Sequence, residues 1–173
     1  MSPTSVRSVW LIPRAEDTAR LKRTMDDIAD KQKGPQFQPH SSIGSLTSSR
    51  PNLSDVFGTI SEIDLVPIEI DRTDSFTMSL FIRFEMSKAL SELRQTLEGA
   101  DSFKARRVFD PHLSLCYGPP PEAYASIAKP AELLDQPIRF DQIWMMDIEV
   151  PVVSHAQVRK WRKVGSLALS AGV

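Results

Sequence analysis

The sequence is short of most of the features that announce a chemistry. It has one cysteine, Cys116, so no internal disulfide can form, and that usage fits a reducing cytoplasm. It has no Gly-rich phosphate loop and no GxGxxG, so nucleotide binding of those kinds is unsupported. HExxH and any Cys–His cluster are absent, which leaves a zinc site without its third and fourth ligands. No Gly-x-Ser-x-Gly occurs, so a serine hydrolase lacks its nucleophile elbow. No apolar run approaches the ~20 residues of a membrane span. Met1-Ser2-Pro3-Thr4-Ser5 lacks the basic and apolar regions of a secretory signal. Net charge is only −1, so any grip on a phosphate must be local. Histidine is scarce too: there are three.

What is present gains weight from that scarcity. Two of the three histidines lie in matching stretches, Pro39-His40-Ser41-Ser42-Ile43 and Pro111-His112-Leu113-Ser114-Leu115. On a β-strand, side chains alternate between faces. His40 then shares a face with Ser42, and His112 with Ser114, while Ile43, Leu113 and Leu115 face the core. Ser41 also turns toward the core, where a hydroxyl needs a partner. Cys116 points with His112 and Ser114; it is read as a small strand residue rather than a nucleophile. His155 has no matching hydroxyl and is read as a surface residue.

The remaining chain supplies a frame. Val6–Ile12 reads as a strand ended by Pro13, with Trp10 in the core or against a ligand. Residues 16–31 have helical spacing, with acidic residues at the start and Gly34-Pro35 at the end. Residues 53–63 suggest a short helix capped by Asn52 or Ser54. Residues 65–70 and 76–84 suggest a hairpin, and 87–97 a helix capped by Ser87. Residues 122–134 read as a helix broken at Pro130, 138–150 as a strand, and 157–169 as a last strand. The basic cluster at 104–107 reads as a solvated loop, or as a source of positive potential near a phosphate. The order of elements repeats loosely, with 112 − 40 = 72 residues between the histidines. The expectation is an α+β protein rather than a doubly wound one.

If the two motif strands meet, both imidazoles enter one cleft with a hydroxyl beside each. A phosphodiester there has a histidine on either side of phosphorus, as in-line displacement requires. The serines would hold the non-bridging oxygens.

These motifs resemble those of the two-histidine (2H) phosphoesterases, and within them the cyclic phosphodiesterase group of plants and yeast. The likeness extends to Ser8-Val9-Trp10-Leu11-Ile12-Pro13, to Gly34-Pro35-Gln36-Phe37-Gln38-Pro39-His40, to Cys116-Tyr117 after the second motif, and to Trp161. The resemblance implies one domain over 1–173, with two pseudo-repeat lobes around the His40 and His112 strands. It implies two antiparallel β-sheets flanked by helices, with the active site in the cleft. It implies metal-independent hydrolysis, without a cofactor, of a nucleoside 2',3'-cyclic phosphate or ADP-ribose 1'',2''-cyclic phosphate. The products are then a 2'-phosphate or an ADP-ribose 1''-phosphate. His40 and His112 become the acid–base pair, with His112 as base and His40 as acid the working choice. Ser42 and Ser114 become phosphate ligands, Tyr117 a further phosphate or sugar contact, and Trp10 a pocket wall. The expected partner is a small cyclic phosphate, in a cytoplasmic protein that needs no membrane and no second subunit. Rival readings are an enzyme acting on RNA 3' ends or 2'-5' linkages, and a binder of nucleotides without turnover.

Overall fold

Antiparallel strands from distant parts of the chain build two sheets over a shared core. In the computed structural model the described residues are 2–47, 52–100, 103, 108–123 and 130–172. The sequence's basic cluster at 104–107 lies outside them, as do residues 124–129 of the helix expected over 122–134.

The larger sheet is laid down by β1 (Thr4–Pro13), β2 (Ser41–Leu46), β3 (Ile63–Leu65), β7 (Ile138–Val150) and β8 (Arg162–Ala168). Its order is β2-β1-β7, and β3 and β8 both pair with the far side of β7. The smaller sheet has the order β4 (Pro67–Asp71), β5 (Leu80–Phe84), β6 (His112–Cys116). Both sheets are antiparallel, with helices α1 (Ala15–Gln32), α2 (Leu53–Phe57), α3 (Lys88–Glu98) and α4 (His155–Val158) beside them. This is the bilobal α+β arrangement that the resemblance implied.

Alternation divides the larger sheet into two faces. Val9, Leu11, Ile143 and Met145 enter the main core, which also takes Leu21 and Ile28 of α1, Leu90 and Leu93 of α3, and Ile82, Leu113 and Leu115 of the smaller sheet. Val6, Trp10, Ile12, Met146 and Ile148 form a second cluster on the opposite face, backed by Trp144 and Trp161. Gly44 lies fully inside β2, where an added Cβ would stand 2.7 Å from Leu97 Cδ2, so α3 packs directly on the strand behind His40.

The same local device occurs twice. β1–α1–β2 and β5–α3–β6 are both strand–helix–strand units whose strands pair antiparallel. Trp10 stands opposite Ser42, and Phe81 opposite Ser114, each just after a register shift. In consequence each motif strand is an edge strand, and the two edges pack against one another.

Several elements differ from the sequence reading. Residues 53–63 split into the short α2 and strand β3, because Gly58 closes the helix with a positive φ of 61°. Phe76–Met78 is a 3₁₀ turn, so the β5 strand starts only at Leu80. The expected last strand begins with α4, since the Ser154 side chain caps it by accepting from Gln157 N.

Candidate active site

His40 ends the approach to β2, directly after Pro39, whose ring steers the preceding Gln38 away from helical backbone. Its ring lies flat on the indole of Trp10, with centroids 3.5 Å apart and planes 9° apart. Phe37 and Trp161 meet it edge-on. Nδ1 is 2.7 Å from the Gln38 carbonyl, which can only accept, so Nδ1 carries a proton and Nε2 is the basic nitrogen of the neutral ring. The Tyr117 hydroxyl lies 3.3 Å from that Nε2 and donates to it. Burial among these rings lowers the His40 pKa to about 3. The Gln38 carbonyl pulls the other way, and charge on His112 lowers it further, so the two imidazoles sense each other.

His112 opens β6 and repeats the arrangement. Its Nδ1 donates to the Asp110 carbonyl at 2.7 Å, two residues back as in the first motif, and Phe81 meets its ring edge-on at 5.5 Å. It is half-buried. Arg83, its cross-strand neighbour, grips the Asp110 carboxylate with Nε and Nη2 and reaches Glu69 and Asp71 with Nη1. The carbonyl that orients His112 therefore belongs to a residue pinned by a guanidinium.

Ser114 is 5% exposed and donates to the Thr77 carbonyl at 2.7 Å. It also sits within hydrogen-bonding reach of Tyr117. Burial pushes the Tyr117 phenol well above its ordinary range, with Ser114 acting in the opposite direction, so the hydroxyl stays a donor. Ser42 is half-buried, and its hydroxyl makes no hydrogen bond among the described residues. The structure thus brings Trp10, His40, Ser114 and Tyr117 into one contact chain, with His112 close enough to act on His40 electrostatically. Ser42 lies on the same strand face, opposite Trp10.

One expectation changes. His155 is half-buried rather than a surface residue: its Nε2 donates to the Tyr117 carbonyl at 2.6 Å. The same carbonyl accepts from Gln32 Nε2 at 2.9 Å, so α1 and α4 together fix the turn after the second motif. Gly118 completes that turn at φ 81°, where an added Cβ would stand 3.0 Å from His155 Nε2. Cys116 is fully buried, and burial raises its thiol pKa, which removes it as a nucleophile at neutral pH. Ser41 turns inward as expected; its hydroxyl is buried with no partner among the described residues, a cost of about 1–3 kcal/mol.

Sequence reasoning passed over Phe37, Phe81, His155 and the Arg83 cluster. Phe37, a lone aromatic in the polar Gln36–Gln38 approach, was a visible signal; the others needed the strand pairings. Among the described residues, no three His, Cys, Asp or Glu side chains gather as a set for a metal ion. A cleft bounded by Arg7, Asn52, Leu53, Met145 and residues 162–166 contains neither histidine. It lies on the core side of the larger sheet, away from the chemistry.

The chain has the fold of E. coli LigT. The solved complex with 3'-AMP matches with a TM-score of 0.59 at 12% identity, over 98% of this chain and 99% of that one. The complex with ATP matches at 0.58 and 14% identity over the same shares, and the apo form at 0.57 and 14%. No family model and no curated protein matches the sequence.

Proposed function

We propose that this chain is a metal-independent cyclic phosphodiesterase, opening a nucleoside 2',3'-cyclic phosphate to the 2'-phosphate or ADP-ribose 1'',2''-cyclic phosphate to the 1''-phosphate. The observation that carries this reading is the repeated anchoring of two histidines. Each spends Nδ1 on the carbonyl two residues back, which leaves Nε2 for chemistry on the facing edges of two sheets.

His40 is the base and His112 the acid. This reverses the working choice from the sequence, for a physical reason: an imidazole buried against Trp10 is neutral and offers a lone pair, and a neutral ring cannot protonate a leaving group. His112 is the more exposed of the two rings, at the mouth of its strand, and takes the acid's part. In the reaction, water occupies the place at His40 Nε2 now held by the Tyr117 hydroxyl. As its oxygen bonds to phosphorus, His40 takes the proton, the P–O3' bond breaks, and His112 protonates the departing O3'. Ser42, Ser114 and the displaced Tyr117 hydroxyl hold the non-bridging oxygens. LigT binding of 3'-AMP and of ATP supports a nucleotide-sized ligand for this fold.

The test is a panel of cyclic phosphates assayed with chelator present, with the product read by phosphorus NMR. Turnover is expected to persist in chelator and to yield the 2'-phosphate. In kcat/KM, which reports the free enzyme, the acid limb is expected far below the ordinary imidazole pKa, because His40 titrates at about 3. An alkaline limb that disappears with His40, the mark of a group needed in its protonated form, would reject the assignment of base.

A further inference from the structure

The face of the larger sheet that carries Trp10 continues well past the histidines. Ser42 on β2 stands opposite Trp10 on β1, and Trp10 stands opposite Trp144 on β7. With neighbouring strands ~4.8 Å apart, Trp144 is about 10 Å from the strand that carries Ser42. Unlike Trp10, which is 2% exposed, Trp144 is half-buried. Its indole N–H donates to Gln142 Oε1 at 2.9 Å, which fixes the ring.

β8 brings Lys163 opposite Met146, and its Nζ rests 4.2 Å from the centre of the Trp144 ring. Lys163 is exposed, and no carboxylate pairs with it among the described residues. The neighbouring cations differ: Arg7 and Arg162 both engage Asp147, on the other face of the sheet. An ammonium held on an indole is positioned without being neutralised. It is a fixed, unspent positive charge on the same face as the motif serine, reaching from β8, three strands away, onto the ring of Trp144, two strands away.

Resting on the function proposed above, we infer that Trp144 and Lys163 form a distal subsite for a second phosphate, so that the preferred substrate is a nucleoside cyclic phosphate carrying a further phosphate or pyrophosphate. With the cyclic phosphate between the histidines, the sugar spans the row beside Trp10 and the distal anion reaches Lys163. A simple cyclic mononucleotide has no anion to place there and leaves the subsite unused.

The experiment compares kcat/KM for adenosine 2',3'-cyclic phosphate bearing no 5' group, a 5'-phosphate or a 5'-diphosphate. The phosphorylated substrates are expected to gain about ten-fold, mainly through KM, as one charged hydrogen bond provides. The gain shrinks as salt is added. Lys163→Met removes it, Lys163→Arg keeps it, and Lys160→Met, at an exposed lysine off this row, keeps it. No gain in the wild type, or an undiminished gain in Lys163→Met, overturns the subsite. If none of the three is turned over, calorimetric affinities for the same compounds give the same ratio. Absent turnover then counts against the proposed function, and a flat affinity ratio against the subsite.

Discussion

Replacing His112 by alanine lowers turnover of a 2',3'-cyclic nucleotide on the order of 10²–10⁴-fold, and replacing His40 does the same, the usual worth of one positioned proton transfer. Both rings use Nδ1 for a backbone carbonyl at 2.7 Å, so alanine removes the reactive Nε2 and its aim together. The two losses do not multiply, since acid and base act in one displacement. His112 is half-buried at the mouth of its strand, so its alanine variant keeps the wild-type melting temperature and reads chemistry alone. His40 is 5% exposed and sandwiched against Trp10, so its truncation also costs packing; His40→Gln, with far-ultraviolet circular dichroism as the control, separates the two effects. Near wild-type turnover in either variant would remove the mechanism.

Lowering the pH from 7.5 to 4.5 costs the fold about 2–3 kcal/mol through His40 alone. The sign follows from where the protons go. In the unfolded chain the imidazole titrates at its ordinary value near ~6.5, whereas in the folded protein burial holds it at about 3. Between those values the unfolded state binds a proton that the folded state refuses. Stability from this group is complete above the unfolded pKa and drains away as pH falls through the window between the two. Urea unfolding at both pH values measures the loss. Asp64 and Asp147, both held below the usual carboxylate range, add their own acid dependence, chiefly through hydrogen bonds from Arg139 and Ser5 respectively. His40→Phe isolates the histidine's share: the variant should lose about 2–3 kcal/mol less than the wild type over the same interval. Equal losses would mean that His40 is not held neutral by its surroundings.

The parts of this fold that were legible in the sequence are those that local patterning decides. Ser87 caps α3 because its side chain accepts from Leu90 N, and that interaction needs only neighbours in sequence. β7 was readable over 138–150 because its alternating residues, Phe140 and Trp144 among them, divide between two faces. The motif histidines were readable because scarcity made the repeated Pro-His-x-Ser conspicuous. What was hidden depends on partners far along the chain. Nothing local to residues 157–169 says that the Ser154 hydroxyl will start a helix rather than a strand. His155 looked unattached because its partner, the Tyr117 carbonyl, is 38 residues away. The acid–base order was likewise out of reach: it rests on Trp10 lying flat against His40, and that follows from strand register.

Catalysis by this pair needs one anion within reach of both Nε2 atoms. The direct measurement is a titration of the protein, labelled with ¹⁵N in its histidine rings, with orthovanadate as a mimic of five-coordinate phosphorus. The Nε2 signals of His40 and His112 should both move, along one saturation curve that ends at a single equivalent, while His155, tied to the Tyr117 carbonyl, keeps its position. Movement of one ring without the other, or two curves with different midpoints, would contradict it.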